Sequence, residues 1–201
     1  MKIDFTGKKA IVCGGSRGIG RAIALGFAAA GGDVSICARD AKALEETRAE
    51  IAKHGQLRYI INTEPHGDHW TGNAYFDVPV IAHEGVRTRI LNTDIKAHVA
   101  RVSGFGPEEP ALMKDYKPNA PIITFKNGMT LHVGNHTFQM IHMPGHTMYQ
   151  AAICIKEEGV VFTSDNIFHK VQTWLQEANP DLWLMTLESL KKLPEEIFVP
   201  G

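Results

Sequence analysis

The sequence has little net charge: 21 Lys and Arg stand against 22 Asp and Glu over 201 residues, a formal charge of -1. Bulk electrostatics therefore gives no hold on nucleic acid or on an anionic membrane surface, and neither is expected as a partner. Long apolar runs are missing too. No stretch approaches the roughly 18–20 residues needed to span a bilayer, and residues 1–15 lack the apolar core of a signal peptide, which points to a cytoplasmic protein. Cysteine is scarce. Cys13, Cys37 and Cys154 are odd in number, widely spaced and each set in an apolar stretch. That is the pattern of small buried side chains in a reducing compartment, not of disulfides or metal ligands. Internal repeats and low-complexity segments are absent. The remainder, 44% hydrophobic and 21% charged, is ordinary for a soluble globular chain with at least one buried core. Histidine is the exception: there are ten, enough to point to a metal site.

The chain divides into two unlike pieces. Residues 1–55 hold nine Lys/Arg and six Asp/Glu, residues 56–201 twelve and sixteen, and all histidines but His54 fall in the second piece. The first alternates strand and helix: an apolar strand over 9–13, an Ala-rich helix over 16–30 ended by Gly31-Gly32, a strand over 34–38 and an amphipathic helix over 41–53. Short links between them imply a parallel βαβ unit. Past Gly55 the pattern gives a strand over 57–61, a polar stretch, a strand over 78–83 and a helix over 84–102. A Gly/Pro-rich loop over 104–121 follows. The segments 122–125, 129–133, 137–142, 150–156 and 160–163 then read as a meander with turns at Asn127-Gly128 and Gly134-Asn135. Helices over 170–177 and 181–193 close the chain.

Between the first strand and helix lies Gly14-Gly15-Ser16-Arg17-Gly18-Ile19-Gly20. Glycines there let the backbone approach a pyrophosphate, and the helix N-terminus offers free N–H groups and a positive dipole. This piece resembles the short-chain dehydrogenase/reductase family, whose Gly-x-x-x-Gly-x-Gly spacing Gly14, Gly18 and Gly20 match, with Cys13 where the family usually has Thr. The resemblance implies a dinucleotide turn formed by Gly14, Ser16, Arg17, Gly18, Ile19 and Gly20. It implies NADP(H) as the ligand, because Arg17 and Arg39 occupy the family's basic positions and a guanidinium suits a 2′-phosphate. It covers residues 1–55 only. The family's Tyr-x-x-x-Lys pair is absent, since Tyr59, Tyr75, Tyr116 and Tyr149 are followed four residues later by Thr63, Pro79, Ala120 and Ile153.

The second piece carries Glu64, His66, Asp68 and His69 within six residues, with Pro65 and Gly67 shaping a tight turn. Mixed imidazole and carboxylate donors suit zinc, manganese or iron. Downstream come His142-Met143-Pro144-Gly145-His146 and Phe162-Thr163-Ser164-Asp165-Asn166, each at the end of an expected strand. Together these resemble the metallo-β-lactamase superfamily of hydrolases. Its His-x-His-x-Asp-His motif is matched by His66, Asp68 and His69, its Gly-His by His146 and its bridging acid by Asp165. Glu64 takes the first histidine's place, which adds charge and hardness. The family's late histidine has no counterpart, although Phe198-Val199-Pro200-Gly201 resembles the run-up to it, and the family's opening strands are replaced by the first piece, as in a chimeric or truncated product.

The expected fold is thus α/β: a short Rossmann-like βαβα head over 1–55 joined to a partial metallo-β-lactamase-like αβ(βα) sandwich over 56–201. The resemblance implies metal-assisted hydrolysis of a small ester, lactone, amide or thioester. Glu64, His66 and His146 would hold one divalent ion, Asp68 and His69 a second, and Asp165 would bridge. Zinc is expected first, then manganese or iron, with water acidified by the ions as nucleophile and Asp68 and His69 at the chemistry. The competing expectations are an NADP-dependent short-chain-dehydrogenase-type oxidoreductase and a non-catalytic fusion product. His83, His98, His132, His136, His142 and His169 are expected to be surface or core histidines.

Overall fold

A computed structural model describes residues 4–6, 8–13, 15–37, 41–52 and 57–201. The fold class is α/β, as expected, and the chain forms two compact units. Gly14 and Arg39, expected at the dinucleotide turn, lie outside the described residues.

The first unit comprises Met1–Ile60, Trp70–Val80 and Ile90–Ala120. Its βαβα order is β1 (Lys9–Cys13), α1 (Gly18–Ala29), β2 (Asp33–Cys37) and α2 (Ala41–Ile51). β1 and β2 pair in parallel, Lys9 opposite Asp33 through Cys13 opposite Cys37. Their apolar faces and the inner faces of both helices form a core of Val12, Ala24, Ala28, Val34, Ile36, Leu44 and Ile51, completed from a distant segment by Phe76. Arg21 of α1 reaches Glu50 of α2 at 2.6 Å.

Past the head come β3 (Ile60–Ile61), α3 (Gly67–Trp70), a 3-10 turn (Thr71–Tyr75), β4 (Val80–His83), α4 (Glu84–Leu91), α5 (Ile95–Ser103), α6 (Glu109–Leu112) and β5 (Ile123–Phe125). β3, β4 and β5 form a three-stranded sheet in that order, β5 parallel to β4. The helix expected over 84–102 is two helices. The break falls at 92–94, where Asp94 leaves helical geometry and its carboxylate accepts from the N–H groups of Lys96 and Ala97, a local alternative that starts a new helix. The loop expected over 104–121 contains α6, opened by a proline in its first turn.

The second unit comprises Ile61–His69, Ile81–Arg89 and Pro121–Gly201. Its centre is a five-stranded sheet in the order β10-β9-β8-β7-β6, made of β6 (Gly128–Val133), β7 (His136–His142), β8 (Ala151–Ile155), β9 (Val160–Ser164) and β10 (Ile197–Pro200). β6 to β9 form an antiparallel meander as expected, and β10 joins parallel to β9. The strand expected to open the meander, 122–125, is instead β5 and pairs parallel to β4 in the other sheet. All five residues of β8 are buried, so this strand reads as a continuous apolar run with no polar face. α7 (Pro180–Leu190) opens at Asn179, whose side chain accepts from Leu182 N–H, and buries Trp183, Thr186 and Leu190. The helix expected over 170–177 does not form. Lys170 has φ 59°, and Val171, Trp174 and Leu175 are 55–65% exposed, so no apolar face is buried to hold a helix there. Among the described residues no helix is long and apolar enough to cross a membrane.

The cap of α5 gives a direct check on this reading. Asp94→Ala removes both side-chain hydrogen bonds to the helix start and should cost about 0.5–2 kcal/mol in urea unfolding, with the m-value unchanged.

Candidate metal centre

The site is built by backbone ties near strand ends of the second unit. The Thr63 carbonyl accepts from Ala151 N–H at 2.8 Å, and its hydroxyl donates to Ser164 Oγ at 2.8 Å. This anchors the residue before Glu64 to the start of β8 and the end of β9, so the Glu64 side chain points inward and is fully buried. The chain then turns into α3. His69 N–H donates to the His66 carbonyl, and Asn62 Nδ2 donates to the His69 carbonyl at 2.8 Å, which sets both imidazoles against Glu64. At the end of β9, Ser164 sits at φ 51°, a left-handed conformation that costs free energy for a residue with a Cβ and that turns the strand just before Asp165.

His146 is fixed by its own network. Its N–H donates to Asn166 Oδ1, Asn166 Nδ2 donates to the Met143 carbonyl at 2.7 Å, and Trp183 Nε1 donates to the Asn166 carbonyl. Gly145 is required there: a Cβ would lie 2.7 Å from Asn166 Oδ1 and 2.8 Å from the Trp183 ring. The rings of Phe168 and Trp183 enclose the imidazole at 5.6 and 5.7 Å.

Five of the six expected metal ligands converge. Glu64 Oε1 lies 2.9 Å from His69 Nε2 and 3.0 Å from His66 Nδ1; His146 Nε2 lies 3.3 Å from His66 Nδ1 and 3.6 Å from Asp165 Oδ2; His69 Nε2 lies 3.5 Å from Asp165 Oδ1. Two overlapping triads result, Glu64–His66–His146 and Glu64–His69–Asp165, each with its donor atoms within 4.8 Å of one another. They share Glu64. Its second oxygen, Oε2, is buried too and lies 3.0 Å from the same His66 Nδ1, so both oxygens face that ring. Asp68 stands outside both triads, 63% exposed, with Oδ2 3.7 Å from His69 Nε2. Glu177 was not expected at the site at all: its Oε2 lies 3.9 Å from His66 Nε2. It belongs to an irregular segment with no motif of its own, so nothing local in the sequence marks it. Of the remaining histidines, His83, His98 and His136 are buried with partners, as expected: Gly85 N–H, the Thr71 hydroxyl and Glu158 respectively.

Burial pushes the Glu64 pKa up, but hydrogen bonds from His66 and His69 and their charge outweigh it and hold it at about 2. His66 is raised, chiefly by its hydrogen bond to Glu64. Burial opposes the charge on His69, yet Asp165 and Glu64 raise its pKa well above the ordinary value. A depressed carboxylate contributes stability that is complete above its unfolded pKa and is lost as pH falls toward the folded value. A raised histidine contributes stability that is complete below its unfolded pKa and is lost as pH rises through the folded value. Chelator-treated protein should therefore be most stable between about pH 4.5 and 6.5, the ordinary values for Glu and His, and lose stability on either side. Thermal unfolding midpoints across pH check this, and a profile flat above pH 6.5 would contradict it.

In the first unit, residues 15–17 lead from β1 into α1. Gly18 has φ 54°, Arg17 is exposed with extended backbone at the helix start, and the carbonyl of buried Ser16 accepts from the Thr47 hydroxyl of α2 at 3.3 Å. Gly20 lies in the first turn of α1, with Ile19 before it.

The family model for the metallo-beta-lactamase superfamily matches residues 35–201, and the chain belongs to that family. It is similar to TTHA1623, solved in a di-iron-bound form, at 27% identity and a TM-score of 0.55, covering 73% of this chain and 70% of that one. It is 25% identical over 149 residues to a hydroxyacylglutathione hydrolase of Methylococcus capsulatus, covering 72% of this chain and 47% of the relative. A shorter match, 48% identical over 57 residues, is to a rhamnolipids biosynthesis 3-oxoacyl-[acyl-carrier-protein] reductase of Pseudomonas aeruginosa, covering 28% of this chain and 22% of the relative. The chain spans less than half the length of either curated relative.

Proposed function

We propose that the chain is a metal-dependent hydrolase of small acyl substrates, with Glu64, His66, His69, His146 and Asp165 holding divalent cations. The observation that carries this reading is the fully buried Glu64 carboxylate, shared by two triads that bring three imidazoles and a second carboxylate around it. A buried carboxylate needs positive charge close by, and a cation among these donors supplies it. Two imidazoles and a carboxylate form a donor set used by catalytic zinc, so Glu64, His66 and His146 suit zinc. Glu64, His69 and Asp165 are a harder set that suits manganese or iron as well.

When bound, a divalent cation supplies Lewis-acid polarisation of a carbonyl oxygen and acidifies water to a pKa of about 7. Asp68, exposed beside His69, is placed to take the proton released as water attacks and to pass it to solvent or to the leaving group. Among ester, lactone, amide and thioester substrates, the similarity to a hydroxyacylglutathione hydrolase favours the acyl–sulfur bond. A cytoplasmic enzyme with a small-molecule substrate, and with neither nucleic acid nor membrane as partner, remains the expectation; the buried free thiol of Cys154 is in keeping with a reducing compartment.

A second reading is nucleotide binding at the head. The short match to a reductase supports it, and there Arg17 and Arg39 would take the 2′-phosphate of NADP(H). Hydride transfer is not part of that reading, because no Tyr-x-x-x-Lys pair is available.

Two outcomes test the hydrolase. With zinc limiting, His146→Ala should lose most bound metal and His69→Ala much less, as read by plasma mass spectrometry on protein with unchanged circular dichroism. Equal losses, or no metal in the native chain, would refute the assignment. Asp68→Asn should keep its zinc and lower kcat on a thioester substrate by roughly 10²-fold or more. Loss of zinc in step with activity would make Asp68 a ligand instead.

A further inference from the structure

We propose that Glu177, braced by Arg89, is the acceptor for the Nε2–H of His66 and so a positioning residue for the metal centre. The inference rests on the reading of the cluster as a cation site. All three residues belong to the second unit.

The two ring nitrogens of His66 face different partners. Nδ1 points into the cluster, 3.0 Å from Glu64 and 3.3 Å from His146 Nε2, while Nε2 points the other way, toward Glu177. An imidazole that gives the Nδ1 lone pair to a cation must carry its proton on Nε2. That proton needs an acceptor if ring orientation and tautomer are to stay fixed.

Glu177 is set up for this from two directions. Arg89, at the end of α4, donates from Nη2 to Glu177 Oε1 at 2.6 Å, which leaves Oε2 as the oxygen facing His66. The backbone is held as well: Asn179 N–H donates to the Gly145 carbonyl at 2.9 Å, and the Asn179 side chain caps α7. The residue next to His146 in the chain therefore fixes the segment that carries Glu177. The gap from Oε2 to Nε2 is 3.9 Å, and a shift of about 1 Å brings it into hydrogen-bond range. An ion pair this exposed, 51% for Arg89 and 41% for Glu177, contributes little to stability by itself. Orienting a neighbouring ligand is the role that its geometry serves.

The test uses the full chain, zinc and a competing chromophoric chelator. Glu177→Ala should weaken zinc binding by about 10–100-fold, and Glu177→Gln, which keeps an acceptor oxygen, should weaken it less. In zinc-loaded protein, proton NMR should show a slowly exchanging His66 Nε2–H natively and a faster-exchanging one in Glu177→Ala. The thermal midpoint should not move. Native zinc affinity in Glu177→Ala, equal losses in both variants, an unchanged exchange rate of the His66 Nε2–H, or weakened binding accompanied by a lowered midpoint would each overturn the proposal. A native chain that binds no zinc would overturn the cation-site reading and this proposal together. Zinc bound equally by native chain and Glu177→Ala removes only the role given to Glu177.

Discussion

A carboxylate with no solvent exposure sets the terms for everything around it. Glu64 is buried in the second unit, and an isolated buried charge would either neutralise or unfold its surroundings. Here it stays ionised, with a pKa held at about 2, because His66 and His69 lie within hydrogen-bond distance and are themselves raised. Two carboxylates, Glu64 and Asp165, then face two imidazoles that take up protons readily. Exchange of two protons for one divalent cation leaves the charge of the cluster unchanged. The same side-chain geometry thus satisfies the buried charge with protons or with metal, and binding is coupled to proton release.

That arrangement needs its donors to arrive in one place from three separated stretches of sequence, and the five-stranded sheet makes this feasible. Glu64 is tied through Thr63 to β8 and β9, His146 follows β7, and Asp165 follows β9. The unbroken burial of β8 makes the middle of the sheet rigid, so ligands at strand ends inherit fixed positions. The less favourable features are concentrated here as well. Ser164 holds a left-handed backbone beside Asp165, and Gly145 leaves no room for a side chain against Asn166 and Trp183. Strain of this kind persists only where surrounding contacts over-determine it, and Asn166 supplies three of them, to His146, Met143 and Trp183.

Much of this was legible in the sequence because it is encoded locally. The Gly134-Asn135 turn between alternating strands, the apolar run of β8 and the Gly-rich turn after β1 each carry their own signal, as does the close spacing of Glu64, His66 and His69. The sharing of Glu64 between two triads was not legible, because spacing shows which residues are near in sequence but not which oxygen faces which ring. Asp68 shows the converse: it sits inside the motif, yet its largely exposed carboxylate belongs to neither triad. Glu177 is fixed by Arg89 from another segment and by the backbone of Gly145, long-range contacts without a pattern. The helix expected over 170–177 fails for a related reason. Val171, Trp174 and Leu175 have helical spacing, but spacing stabilises a helix only when a partner surface covers that face.

The head raises the opposite question, how so small a parallel sheet is stable. Two parallel strands are marginal alone, since parallel sheets normally need cover on both faces. α1 and α2 supply part of that cover. The rest comes from beyond the βαβα unit: Phe76 is buried in the same core, with Leu57, Ile60, Tyr75 and Val78 packed against it. These residues lie in the stretches before and after the Glu64–His69 motif. The head is therefore not a detachable extension whose core ends near residue 55. Its hydrophobic faces and the segment around Phe76 bury one another, so each accounts for apolar surface that the other would otherwise expose.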